Sequence, residues 1–142
     1  MRKFQFSMQK ILDIKQKSRE QEELSYAQLV QMIIDEEKQL AKMESERLSL
    51  QEELSASQIN GISIVAIVNK QQYIEHLDYV IEKQLKKIKL LKEKLELKRQ
   101  RLIEAKIEEK KYSKLREKKL SEHLIRDNQL EQIELDEIAS RL

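Results

Sequence analysis

Residues 54–77 read LSASQINGISIVAIVNKQQYIEHL and contain the chain's only glycine, Gly61. The other 141 residues include no proline at all. A globular domain of this length ordinarily uses several of both to make its turns. One glycine and no proline leave room for long helices and a single sharp reversal. How Asn60-Gly61 is read therefore decides the fold. Inside one continuous helix, a glycine would cost about 1 kcal/mol relative to alanine. Just past a helix end it costs little, because glycine enters the left-handed region without strain.

The flanking patterns favour the reversal. Before the glycine, residues at three- and four-residue spacing form one seam: Tyr26, Leu29, Ile33, Glu36, Leu40, Met43, Arg47, Leu50 and Leu54. After it, Ile67, Ile74, Ile81, Ile88, Leu95 and Leu102 recur at every seventh position. Leu77, Gln84, Leu91, Lys98 and Ala105 fill the intermediate positions. A seven-residue repeat keeps one stripe turned toward a partner helix. Neither seam buries its stripe alone, whereas a turn at 60–62 lets each bury the other. Ser63 then stands where a hydroxyl caps the next helix. The expected fold is all-α: a long antiparallel two-helix coiled-coil hairpin over 1–142. Its helices run from about 3 to 59 and from about 63 to 140, and the second is longer. Glu36, Arg47, Gln84 and Lys98 interrupt the seam and argue against a uniform leucine zipper.

Composition agrees. Charged residues make up 38% of the chain and aromatics 4%, and most of the rest are strong helix formers. High charge with few aromatics also marks disordered chains, but those rarely keep so regular an apolar period. The absence of cysteine excludes a disulfide framework and thiolate metal sites, and suits a cytosolic chain. The start MRKFQFSMQK has no apolar core of signal-peptide length. The run IVAIV at 64–68 is far too short to span a bilayer.

Charge follows the antiparallel register. Residues 19–60 carry four basic and ten acidic residues, and residues 63–104 carry ten and six. Opposite signs on facing arms favour pairing, at a few tenths of a kcal/mol per exposed pair. The ends behave differently. Residues 1–18 have five basic and one acidic residue, and residues 105–122, which should face them, have seven and four. Like charge brought together serves stability poorly, but it serves the gripping of an acidic partner. Around 104–123 the heptad falters, since Ile107, Tyr112, Leu115 and Leu120 share no register, and weaker pairing is expected there. The last residues have no partner within the hairpin. Their apolar stripe, Leu130, Ile133, Leu135, Ile138 and Leu142, is a candidate contact surface.

Catalytic and cofactor chemistry find little support. Carboxylates alternate with lysines on helix faces, where salt bridging is their ordinary role. His76 and His123 stand far apart with no ligand cluster beside either. One glycine makes no phosphate-cradling loop. We expect no enzyme, metal or cofactor. The run 83–119, with 16 basic and six acidic residues, is a candidate phosphate binder. Interleaved acids and a single aromatic, Tyr112, favour a solvated face opposite the acidic arm instead. No nucleic-acid partner is expected.

Two stretches resemble a known family. KFQFSMQKILDIKQKSREQEELSYAQ at 3–28 combines aromatics near the start, an ILDIK core and a Glu/Gln/Ala-rich helix. GISIVAIVNKQQYIEHLDYVIEKQ at 61–84 has a Tyr-Ile-x-x-Leu step ahead of an isoleucine. Both look like the flagellar export protein FliJ family, as do the length and the scarcity of glycine and proline. The resemblance implies a motility component: a non-enzymatic stalk of the flagellar type III export apparatus, similar to the rotor stalk of rotary ATPases. It implies two principal partners, the hexameric export ATPase and the cytoplasmic domain of the export gate. It also implies a chaperone-escort role, with membrane association only through those partners. The family's gate-binding stripe falls on Tyr73, Leu77, Val80 and Gln84, where Val80 and Gln84 replace the family's usual small residue and histidine. The ATPase-binding end would include Arg2, Lys3, Phe4, Phe6, Lys10, Ile11 and Leu12. A structural spacer and the stalk of a virulence-type secretion system remain alternatives. The stalk reading expects a monomeric hairpin, and the scaffold reading a stable oligomer.

Overall fold

The computed structural model describes residues 3–60 and 63–142. It contains two α-helices packed against each other, α1 (Gln9–Asn60, 52 residues) and α2 (Ile64–Arg141, 78 residues). The fold is the expected all-α hairpin with the longer second helix. Gly61 and Ile62, the centre of the expected turn, lie outside the described residues. Ser63 caps α2: its hydroxyl accepts a hydrogen bond from the Ala66 N–H at 3.3 Å, which satisfies one of the orphan donors at a helix start.

α1 begins at Gln9, later than the expected residue 3. The Gln9 N–H bonds back to the Phe6 carbonyl at 3.0 Å, closing a turn just before the helix. Phe4 packs near His123 and Arg116 instead of continuing a helical face.

Contacts divide the chain into two compact units. In Ser25–Arg99 the helices run antiparallel, since Ser25 meets Lys98, Glu36 meets Gln84 and Arg47 meets Asp78. The core is the seam. Leu29, Ile33 and Leu54 of α1 are buried with Ile74, Leu77 and Ile88 of α2. The intervening seam positions of this unit are half-buried, as expected of a two-stranded coiled coil whose knobs keep one side toward water.

The polar residues that interrupt the seam are all partnered across it. The Gln84 amide, 8% exposed, donates to the Glu36 backbone carbonyl at 2.9 Å and also to the Glu36 carboxylate. Lys87 adds a bond to the same carboxylate at 2.8 Å. Arg47 forks onto Asp78, and Lys98 donates to the Ser25 hydroxyl. Buried Ser57 donates to the Glu53 carbonyl at 2.7 Å and accepts from Lys70 at 3.3 Å. A buried polar group left alone would be costly. Each of these layers therefore holds one register of α1 against α2 and penalises a slip.

The layer at Glu36 makes a testable pH contribution. Its bond from Lys87 above all, and then from Gln84, hold the Glu36 carboxyl below its usual range. A depressed folded-state value means that ionisation favours the folded form. The contribution is therefore complete above the ordinary carboxylate value of about 4.3. It is lost as pH falls through the lower folded value. Thermal unfolding of wild type and Glu36→Gln between pH 7 and pH 2.5 is expected to show a steeper acid loss in wild type. Parallel curves would remove Glu36 from the acid response.

The second unit comprises described residues up to Leu24 together with Gln100–Leu142. None of its described residues is buried, and several polar contacts cross it. Arg19 forks onto Glu109 at 2.6 and 3.2 Å and reaches Glu23 at 3.0 Å. The Glu109 bonds above all push its guanidinium to hold its proton still more firmly. Lys15 pairs with Glu108 at 3.5 Å, and Arg116 donates to Gln9 at 3.0 Å. Where the heptad falters, Tyr112, Leu115 and Leu120 are half-buried beside these polar contacts, while Ile107 stays 61% exposed.

Candidate functional site

The amino-terminal residues singled out from sequence gather in the second unit. Phe4 is half-buried. Its ring centroid lies 5.5 Å from that of His123, and the Arg116 guanidinium lies 5.5 Å from the same ring. A cation near an aromatic face is held by the ring's quadrupole. Arg116 is steadied further by Gln9, and His123 by Asp127, whose carboxylate lies 3.3 Å from Nε2. Phe4 thereby draws the residues before α1 onto α2. Lys3, Phe4, Ser7, Lys119, His123 and Arg126 line a shallow groove beside this contact.

Phe6 and Leu12 are half-buried, whereas Lys3, Lys10 and Ile11 are exposed. Arg2 lies outside the described residues. The described members therefore form a small aromatic anchor with cations and one apolar side chain facing water. Such a surface can bind an acidic partner that also offers apolar contact. Sequence reasoning did not single out Arg116 and His123 as the residues that hold Phe4. The register held the signal, since residues near 105–122 were expected to face residues 1–18.

The four residues of the other stripe are not equivalent. Tyr73 is 45% exposed, and its hydroxyl donates to Glu46 at 2.9 Å. That bond is the main cause holding the phenol above its usual pKa. Leu77 is 5% exposed and belongs to the core. Gln84 is turned inward onto Glu36, and Val80 is half-buried. Only Tyr73, with part of Val80, presents a surface. His76, whose ring centroid is 6.3 Å from that of Tyr73, and Tyr79, with Lys83 at 4.6 Å from its ring centroid, are also exposed. Leu77 and Gln84 sit on the seven-residue repeat, the signal that places them inside.

Among the described residues, no group of three or more His, Cys, Asp or Glu is placed to hold a metal ion. No described helix is long and apolar enough to cross a membrane.

Two long helices joined by a polar-layered seam, with functional candidates on helix faces and at the polar end, define a coiled-coil hairpin protein. A family model described as Flagellar FliJ protein matches residues 4–142, and the chain belongs to that family. It is 27% identical over 136 residues to the Flagellar FliJ protein of Bacillus subtilis (strain 168), covering 96% of this chain and 92% of that one. No solved structure matches the chain. Membership supports a place among flagellar export components.

Proposed function

We propose that the chain is a non-enzymatic stalk and chaperone-escort component of flagellar type III export, linking the export ATPase ring to the export gate. It works at the cytoplasmic face of the membrane, which it reaches through those partners. The observation that supports this best is the amino-terminal arrangement. Phe4 is anchored on Arg116 and His123, while Lys3, Lys10 and Ile11 face outward. An acidic ring entrance would take that surface, and membership of the FliJ family supplies the context. The gate contact is assigned to Tyr73 and Val80, with Leu77 and Gln84 backing them from within the seam. Carboxylates such as Glu36, Asp78 and Glu109 are engaged in ion pairs, a structural use rather than a catalytic one.

The direct test is a bridging experiment. Purified chain, ATPase hexamer and gate cytoplasmic domain are mixed and resolved by size. A complex containing all three, absent when the chain is left out, is the expected result. Binding to one partner that excludes the other would overturn the linking role.

A further inference from the structure

We propose that the outward face of α2 between Ile103 and Ile125 binds the surface of a membrane rich in anionic phospholipid. At about 100° per residue, Lys110, Lys111, Lys114 and Lys118 fall within one arc about 100° wide. Ile103, Ile107, Ser121 and Ile125 share that arc. All of these residues are exposed, the three isoleucines by 42%, 61% and 54%. The opposite side of the helix carries Glu109, Arg116 and His123, which meet Arg19, Gln9 and Phe4. The arc therefore faces away from the amino-terminal residues. It runs along about 33 Å of helix, at about 1.5 Å per residue.

In sequence, interleaved acids favour a solvated face here; in the folded chain they lie off the arc. Glu108 and Glu109 turn to Lys15 and Arg19, at 3.5 and 2.6 Å. Glu122 lies 3.6 Å from Lys119 and 3.8 Å from Arg126. Glu104, Glu117 and Glu122 stand beyond the edges of the arc. What remains is a cationic face with exposed isoleucines at both ends. The residue types choose among anions. Arg101, Arg116 and Arg126 have planar forks that suit the carboxylates of a protein partner, but they stand about 100° or more from Ile107. The arc holds only lysines, compact charges on flexible stems that can serve many headgroup phosphates. A nucleic acid would call on stacking aromatics, and Tyr112 is half-buried on another side of the helix. Exposed isoleucines have no use against nucleic-acid phosphates, but they can enter the boundary between lipid headgroups and acyl chains.

The proposal does not rest on the export reading, which takes the chain to the membrane through its partners; here the contact is direct. Purified full chain is mixed with vesicles of phosphatidylcholine, either alone or with an equal amount of phosphatidylglycerol. Binding to the anionic vesicles only is expected, and it should weaken as salt rises. A lysine near an anionic surface strengthens binding about fivefold, so Lys110→Gln, Lys111→Gln, Lys114→Gln and Lys118→Gln together should weaken it about a hundredfold or more. Ile107→Gln with Ile125→Gln should weaken it severalfold at unchanged charge. Both variants alter exposed residues only and should keep wild-type helicity by circular dichroism. The chain has no tryptophan, so Ile107→Trp in the otherwise unchanged chain reports on the face itself. Its emission should shift to shorter wavelength on anionic vesicles. A wild type that stays free of anionic vesicles at low salt overturns the proposal, as does a lysine variant that binds like wild type or a tryptophan that does not shift. An RNA oligonucleotide that binds wild type and the isoleucine variant equally well, and displaces both from vesicles, would overturn it in favour of nucleic acid.

Discussion

Replacing Leu77 with alanine is expected to destabilise the hairpin by about 2 to 5 kcal/mol, the range for a large aliphatic side chain removed from a packed interior. Leu77 is 5% exposed and shares the core of its unit with Leu29, Ile33, Leu54, Ile74 and Ile88. So small a core has little with which to fill the cavity. Tyr73→Ala, one helical turn away, is expected to behave differently. Its ring is 45% exposed and its hydroxyl bonds Glu46 at the surface. Surface changes away from such cores usually stay within about 0.5 kcal/mol. Chemical denaturation of the two single variants, together with their affinity for the gate domain, separates packing from recognition. Tyr73→Ala should weaken gate binding while leaving the unfolding midpoint nearly unchanged. Leu77→Ala should lower the midpoint, and any effect on the gate should shrink under conditions that keep the variant folded. If Leu77→Ala leaves stability intact and abolishes gate binding, Leu77 is a contact residue and its place in the core is wrong.

That contrast marks how far sequence could reach. The seven-residue repeat located both helices and the inward face, because periodicity reports burial directly. Leu77 and Gln84 are on that repeat, and both are inside. The family stripe also passed through them, and a pattern of residue types cannot distinguish an inward position that backs a surface from one that forms it. The single turn between the seams gave the antiparallel sense, charge balance agreed with it, and Ser25 with Lys98 and Lys15 with Glu108 keep that register. Individual partners needed coordinates. Arg47 was legible as an interruption of the seam, but Asp78 becomes its partner only once the register is fixed. Phe4 was legible as an unusual aromatic near the start. Its contact with His123 was not, because residues before α1 leave the helical period, and with it the rule that relates spacing to face. The expected start near residue 3 also differs from the observed start at Gln9, where a local turn from the Gln9 N–H to the Phe6 carbonyl precedes the helix.

The largest functional effect is expected at the amino-terminal cations. Arg2→Glu, Lys3→Glu and Lys10→Glu together should slow association with the export ATPase about tenfold or more at low salt, within the range by which electrostatic steering raises on-rates. Lys3 and Lys10 are exposed, so reversing them changes the field a partner meets without emptying a core. The neighbouring arm is basic: residues 105–122 carry seven basic and four acidic residues. Acid placed beside it relieves repulsion, so helicity and thermal midpoint should hold or rise slightly. The Phe4 anchor on Arg116 and His123 stays in place, which confines the change to charge. Salt supplies the second axis. Exposed charges are screened over about 8 Å at physiological ionic strength, so the gap between wild type and variant should narrow as salt rises. Wild type should slow more than the variant over the same interval. Stopped-flow association at two salt concentrations measures all four rates. A variant that matches wild type at both salts would show that these cations are only solvated, and ATPase recognition would then fall to Phe6, Ile11 and Leu12. A variant that loses binding together with helicity would instead make the same cations part of the fold, against their exposure. The charge argument requires the remaining outcome: an intact hairpin that meets its partner slowly, and most slowly relative to wild type where salt is lowest.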